Sequence, residues 1–167
     1  KVSVLGFFWS LLRPLLTIVV LAVIFSYLLP IHSEVYSVPY YILLLAAYMP
    51  WFYFSTALLE GTQSLLTNGN LIKKVYSPRS VYPASVVLAQ LINFLFSLVV
   101  VIPFLFLFSG TWPTWIFLQL PLVIAAQTTF LFGLCLITSV LNVLYRDTTQ
   151  VMEFFAFVWF YLSPVLY

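Results

Sequence analysis

Apolar runs long enough to cross a lipid bilayer dominate this chain, and charges hardly enter them. Only 6% of the 167 residues are charged and 64% are hydrophobic. A soluble domain is about half apolar and about a quarter charged. No water-soluble fold of this length hides so much apolar surface, so lipid must be the solvent. Backbone groups in lipid have to be satisfied within the structure, by helices or by closed barrels. Barrel strands alternate polar and apolar positions in segments of about ten residues. The runs here are continuous, which selects helices. The expected fold is therefore all-α, a polytopic helical membrane bundle.

Four complete spans and a truncated fifth are expected, at about 5–29, 38–59, 81–108, 114–141 and 148–167. The third is long enough to need tilt or a kink, which Pro103 can supply. The chain starts at Lys1 and stops at Tyr167, still in apolar sequence, so it reads as a fragment of a longer membrane protein. Its first apolar segment is too long for a signal-peptide core and has no small-residue cleavage site after it. Cys135 stands alone in an apolar run, where a small core residue is the simplest reading.

The few charges are placed unevenly. Lys1, Lys73, Lys74, Arg79 and Arg146 fall in segments that alternating spans put on one side, and Arg13 lies near that side. The opposite loops, 30–37 and 109–113, carry only His32 and Glu34. Basic residues concentrate on the cytoplasmic side, so Lys1 and the basic cluster are expected in the cytoplasm. The net charge of +2 is too small for a nucleic-acid binder. A lone His offers no metal site.

Lys73, Lys74 and Arg79 belong to a segment between the second and third spans. Before it, Leu58, Leu59, Thr62, Leu65 and Leu66 recur at helical spacing, with Glu60, Gln63 and Ser64 between them. This pattern predicts an amphipathic continuation of the second span. Thr67-Asn68-Gly69-Asn70 should break it. Asn70 can then cap a short helix at about 70–77, which Pro78 stops. Leu71, Ile72, Val75 and Tyr76 give that helix apolar contact area beside its lysines. Pro83 suits the first turn of the third span.

Arg13 lies about eight residues into the first span, roughly 12 Å deep at 1.5 Å per residue. A central Arg costs about 2.5–3.5 kcal/mol on insertion scales, less where it can snorkel. Glu60 and Glu153 are at similar depth, so Arg13 can pair with either, or each can reach the headgroups independently. Arg146 and Asp147 form the turn between the fourth and fifth spans.

Aromatic residues make up 20% of the chain. Interfacial belts explain many, including Trp112, Trp115, Tyr36, Tyr40 and Tyr41 at one side and Phe7, Phe8, Trp9 and Tyr145 at the other. Trp51, Phe52, Tyr53 and Phe54 run consecutively, and the fifth span is crowded from Phe154 to Tyr161. Helix packing and lipid contact account for such rings. The alternative is a path on which sugar rings stack, with Trp9, Trp51, Phe52, Tyr53, Trp159 and Tyr161 as its candidates.

The chain has no phosphate-binding Gly-x-x-x-x-Gly-Lys-Ser/Thr loop, no His-Glu-x-x-His pair and no Cys/His metal spacing. No catalytic, metal or cofactor residues are therefore assigned, and energy for work has to come from a partner.

Four blocks, in order along the chain, resemble the permeases of type-2 ABC exporters, especially those for O-antigen, capsule-like polysaccharide and teichoic acid. They are Ser3-Val4-Leu5-Gly6-Phe7-Phe8-Trp9-Ser10-Leu11-Leu12-Arg13-Pro14, Asn70 to Arg79, Leu141-Asn142-Val143-Leu144-Tyr145-Arg146-Asp147, and Ser163-Pro164-Val165-Leu166-Tyr167. The resemblance implies one permease domain with six spans in the full-length protein, acting as a homodimer in the bacterial inner membrane. It implies a separate ATPase subunit that binds ATP and magnesium and drives a lipid-linked glycan across the membrane. The short helix after the second span would couple to that ATPase through Leu71, Ile72, Lys73, Lys74, Val75, Tyr76, Pro78 and Arg79. An interface helix would precede Lys1, and gate helices with a sixth span would follow Tyr167. This chain departs from the family where Ser77 replaces a usual Phe and Ser80 an often acidic residue.

A type-2 ABC permease for a drug or another lipid shares this fold; the coupling block and the Arg-Asp block favour the glycan branch. A membrane enzyme or scaffold is the remote alternative. A glycosyltransferase needs clustered acids for a metal and a sugar nucleotide, and only Asp147 and Glu153 approach that.

Overall fold

A computed structural model describes residues 40–74, 76–109 and 118–163, together with positions 16, 19, 20 and 23. Among the described residues the regular elements are helices, without strands. They are α1 (Tyr40–Thr67), α2 (Gly69–Lys74), α3 (Val81–Ser109), α4 (Leu120–Leu144) and α5 (Thr148–Leu162). The expected first span, 5–29, lies outside the described residues apart from those four positions.

Helix ends follow local chemistry. Pro121 falls in the first turn of α4, where a missing N–H leaves no bond unmade. At the other end of α4, Tyr145 is extended (φ −128°, ψ 105°) and its N–H still reaches the Leu141 carbonyl at 2.7 Å. The helix therefore runs to Leu144, past the expected end at 141. Both α1 and α3 continue through an internal proline, Pro50 and Pro103 respectively.

Two expectations are corrected. The fifth helix was expected to run on to 167, but it ends at Leu162, where Ser163 turns extended (φ −85°, ψ 149°). The cause is Pro164, whose ring disfavours helical geometry in the residue before it. The second concerns the helical continuation of the second span: α1 does run on to Thr67 as expected, but Ser64, expected on its polar face, is 3% exposed and donates to the Gly61 carbonyl at 2.7 Å. Folding its hydroxyl back onto its own helix lets Ser64 be buried, and only Glu60 and Gln63 of that trio are exposed.

The described residues fall into two units. One takes Tyr53–Ile92 and the described part of Thr114–Ser163; the other takes the described parts of Lys1–Phe52 and Asn93–Pro113. In the second of these, Leu44, Met49, Phe94 and Val101 are buried and Tyr48 stacks on Phe52, with centroids 6.0 Å apart.

The first unit buries small and polar residues beside larger apolar ones such as Leu58 and Leu131, and leaves many other large apolar side chains outside. Ala57, Gly61, Thr62, Cys135, Thr138, Ser139 and Asn142 are buried, while Leu122, Val123, Ile137, Val140 and Phe154 are exposed. Water would reverse that arrangement. In lipid, apolar side chains gain nothing by facing each other, so helices associate through close-packed small residues and interhelical hydrogen bonds. Val81–Pro103 and Leu120–Leu144 are each long and apolar enough to cross a membrane, and only 24% and 11% of them is buried. A core helix of a soluble protein would be mostly covered.

Candidate functional site

The segment joining α1 to α3 begins at a double-ended cap. The side-chain amide of Asn68 donates to the Ser64 carbonyl at 2.8 Å, closing α1. Its backbone carbonyl accepts from the N–H groups of Leu71 and Ile72 at 2.9 and 3.0 Å, opening α2. A single residue thus ties the two helices end to end. The short helix expected at about 70–77 occupies Gly69–Lys74, one residue early at its start and three short at its end. Asn68 nucleates it where Asn70 was expected to, because Asn68 alone stands between the last residue of α1 and the first of α2.

No residue of α2 is buried. Leu71 is 56% exposed, Lys73 and Lys74 are exposed, and Ile72 is half-buried. Val75 lies outside the described residues. Tyr76 follows in irregular backbone, fully exposed, and Pro78 and Arg79 are exposed as well. The segment thus presents Leu71, Tyr76 and Pro78 together with three cations to its surroundings.

Ser77 is what fastens this segment. Its hydroxyl and that of Tyr82 share a hydrogen bond at 3.0 Å, and the Tyr82 side chain is buried in the first turn of α3. The Val81 N–H closes the turn on the Pro78 carbonyl at 3.1 Å, and the Ser80 carbonyl accepts from Ala84 at 3.2 Å. Ser77 therefore has a partner of its own.

The α4–α5 turn, with Arg146 and Asp147, is exposed. It is closed by Thr148, whose hydroxyl and N–H both donate to the Tyr145 carbonyl, at 2.7 and 3.1 Å.

Glu60 accepts a hydrogen bond from Gln90 at 2.6 Å, joining α1 to α3. Glu153 is exposed on α5. Arg13 lies outside the described residues, and so do the ion pairs expected of it.

The candidate aromatics separate. Four consecutive helical residues point in four directions, so Trp51 to Phe54 cannot share one face. Trp51 and Phe52 are half-buried. Tyr53 is 2% exposed, and its hydroxyl donates to Thr128 of α4 at 3.1 Å. Phe54 lies against Trp159 edge-on at 5.4 Å and stacks on Phe130 at 6.4 Å. Trp159 also meets Phe155 at 4.8 Å. Tyr161 is half-exposed, edge-on to Phe157 and Phe160. Trp9 lies outside the described residues.

Behind these segments runs a polar seam that sequence reasoning missed. A Cβ on Gly61 would come within 2.5 Å of Cys135 Sγ, and that thiol donates to the Ala57 carbonyl at 3.4 Å. The hydroxyls of Thr62 and Thr138 are hydrogen-bonded at 2.9 Å. Asn142 donates from Nδ2 to the Thr62 carbonyl at 3.1 Å and accepts at Oδ1 from Thr149 of α5 at 3.0 Å. The signal for the seam was present. Ala57 and Gly61, and Cys135 and Ser139, are pairs of small residues four apart, the spacing at which membrane helices approach closely.

Apolar helices facing outward, held by small and polar residues and joined by an exposed basic connector, define a polytopic helical membrane protein. The chain belongs to the ABC-2 type transporter family, whose model matches residues 1–167. It is 33% identical over 165 residues to the O-antigen export system permease protein RfbA of Myxococcus xanthus, covering 99% of this chain and 62% of that one. Two proteins of the same name from Klebsiella pneumoniae are 32% and 33% identical over 169 residues, covering all of this chain and 63% of each relative. The chain thus spans a little under two thirds of these relatives' length. It is an integral membrane protein of that family.

Proposed function

We propose that the chain forms most of the membrane subunit of an exporter that moves a lipid-linked polysaccharide across the bacterial inner membrane. In this reading ATP is hydrolysed, with magnesium, on a separate ATPase subunit, and two permease copies form the path. The observation that carries it is the exposure of Leu71, Lys73, Lys74, Tyr76 and Arg79 on one short connector between apolar helices. Apolar and cationic groups left uncovered together are what a protein partner with an apolar groove and acidic rim would engage. The second contact on the ATPase falls to Arg146 and Asp147. In this reading the connector and the start of the chain lie on the cytoplasmic side, which the gathering of basic residues in those segments supports. The glycan substrate is supported by the relatives named as O-antigen export permeases; capsule-like glycan and teichoic acid share the chemistry of a polymer on a lipid carrier. A lipid-linked cargo also suits helices that present large apolar faces outward.

Co-purification of the full-length protein with an ABC ATPase subunit tests the docking. Replacing Lys73, Lys74 and Tyr76 together by Ala is expected to release the ATPase. Unchanged assembly and unchanged ATPase stimulation would sink the assignment. Loss of surface glycan on deletion of the gene, restored by the intact copy, tests the cargo.

A further inference from the structure

We propose that Asn142 is a positioning residue that clamps α1 to the α4–α5 corner, so that the two proposed docking elements, α2 and the Arg146–Asp147 turn, are displaced as one body. The inference rests on the docking reading above and concerns what lies behind the docking surface.

Asn142 is 1% exposed and meets two other helices with one amide. Toward α1 its Nδ2 donates to the Thr62 carbonyl; toward α5 its Oδ1 accepts the Thr149 hydroxyl. The orientation of that amide is dictated by chemistry. The Thr62 carbonyl can only accept, so it must face the NH₂ group, and Thr149 must then donate. Thr62 is held in turn: its hydroxyl donates to the Leu58 carbonyl at 2.7 Å and is bonded to Thr138, one turn back from Asn142 along α4. Among the described residues no buried side-chain N or O lacks a partner. A fully satisfied buried network in low dielectric is stiff, because any sliding of one helix leaves a polar atom unpaired in an apolar surrounding.

The place of the network matters as much as its chemistry. Asn142 precedes Tyr145, where the turn begins, by three residues, about 4.5 Å along the helix. Thr149 follows Asp147 by two residues on the other side of the same turn. Thr62 lies seven residues before Gly69, about 10 Å from the start of α2, and Asn68 bonds across the junction in both directions. A push on α2 is therefore delivered to α1, and through Thr62 and Asn142 to the corner bearing Arg146. Cys135 also meets α1, beside Gly61 and with its thiol on the Ala57 carbonyl at 3.4 Å, but a thiol is a weak donor and resists sliding less.

The test uses the full-length permease with its ATPase in lipid nanodiscs. Cys135 is replaced by Ala, and nitroxide labels are placed at Gln63→Cys on α1 and Gln150→Cys on α5, both exposed positions. Pulsed electron resonance gives the label distance without nucleotide and after trapping with ATP and vanadate. The parent is expected to show one narrow distance, unchanged by trapping. Thr149→Val and Asn142→Leu are expected to broaden it at rest and shift it on trapping, while Thr149→Ser keeps the parent behaviour. A merely structural role would lower the melting temperature without moving the distance. Parent-like distances in both disrupting variants, or a parent distance that itself shifts on trapping, overturns the proposal. If Asn142→Leu does not fold, Thr149→Val decides alone, since it removes one hydroxyl from a half-buried position. If no ATPase co-purifies with the parent, the docking reading fails, and the resting distances still decide whether the clamp exists.

Discussion

Gly61 of α1 and Cys135 of α4 touch so closely that no side chain fits between them. A Cβ built on Gly61 comes within 2.5 Å of the Cys135 sulfur and 3.0 Å of its Cβ. On intrinsic propensity Gly61→Ala should favour the helix by about 1 kcal/mol. The contact reverses that expectation. Overpacking a tight site costs about 1–3 kcal/mol, so Gly61→Ala is expected to lower the melting temperature in detergent. Adding Cys135→Ala should restore most of the loss, because it removes the sulfur that is struck. A stabilised single variant would show that the two helices part freely here.

Cys135 is also the single cysteine of the chain, and it is fully buried. Its thiol is expected to stay unlabelled by a maleimide dye in the folded protein and to react only as the helices separate. A thermal scan with a thiol-reactive fluorogenic dye should then give one sigmoidal rise that coincides with loss of helical circular dichroism. Rapid labelling at low temperature would contradict the burial.

The hydrogen bond between Ser77 and Tyr82 ties the connector to α3. Such a bond is worth about 1 kcal/mol. Ser77→Ala and Tyr82→Phe are each expected to speed amide exchange at Val81, whose N–H closes the turn on Pro78, several-fold, with little change in overall stability. If exchange there is unaffected, the turn holds itself and Ser77 is a passive substitution.

The side of the membrane on which α2 lies can be read chemically. In a Cys135→Ala background, Asn70→Cys occupies an exposed position. A membrane-impermeant maleimide is expected to label it in inside-out vesicles and leave it unlabelled in intact spheroplasts. The opposite pattern would reverse the orientation drawn from the basic residues.

Much of the architecture was legible in order along the chain. The starts of α3 at Val81 and α5 at Thr148 coincide with the expected span starts, since apolar run length and proline placement are local properties. The basic connector was legible for the same reason, because charges stand out against lipid-soluble sequence. Helix ends were less so: Asn68 and Asn70 are equally good caps on paper, and only the chain path shows that Asn68 serves both helices. Tyr53 looked like a ring available to a ligand until its hydroxyl was found on Thr128, 75 residues away.

By itself, the sequence determined that this protein is helical, that lipid surrounds it, and that three of its six cations cluster on one connector. Those properties follow from side-chain transfer energies and need no knowledge of neighbours. Which residues hold the helices together was decided by tertiary structure. In lipid, apolar periodicity is a poor mark of a buried face: Gly61, Thr138 and Asn142 gave no amphipathic signal, and Thr62 was legible only as a member of an apolar face, not as a hydrogen-bonding group. Their role depends on meeting across α1, α4 and α5, where close approach and a completed set of hydrogen bonds replace the hydrophobic effect.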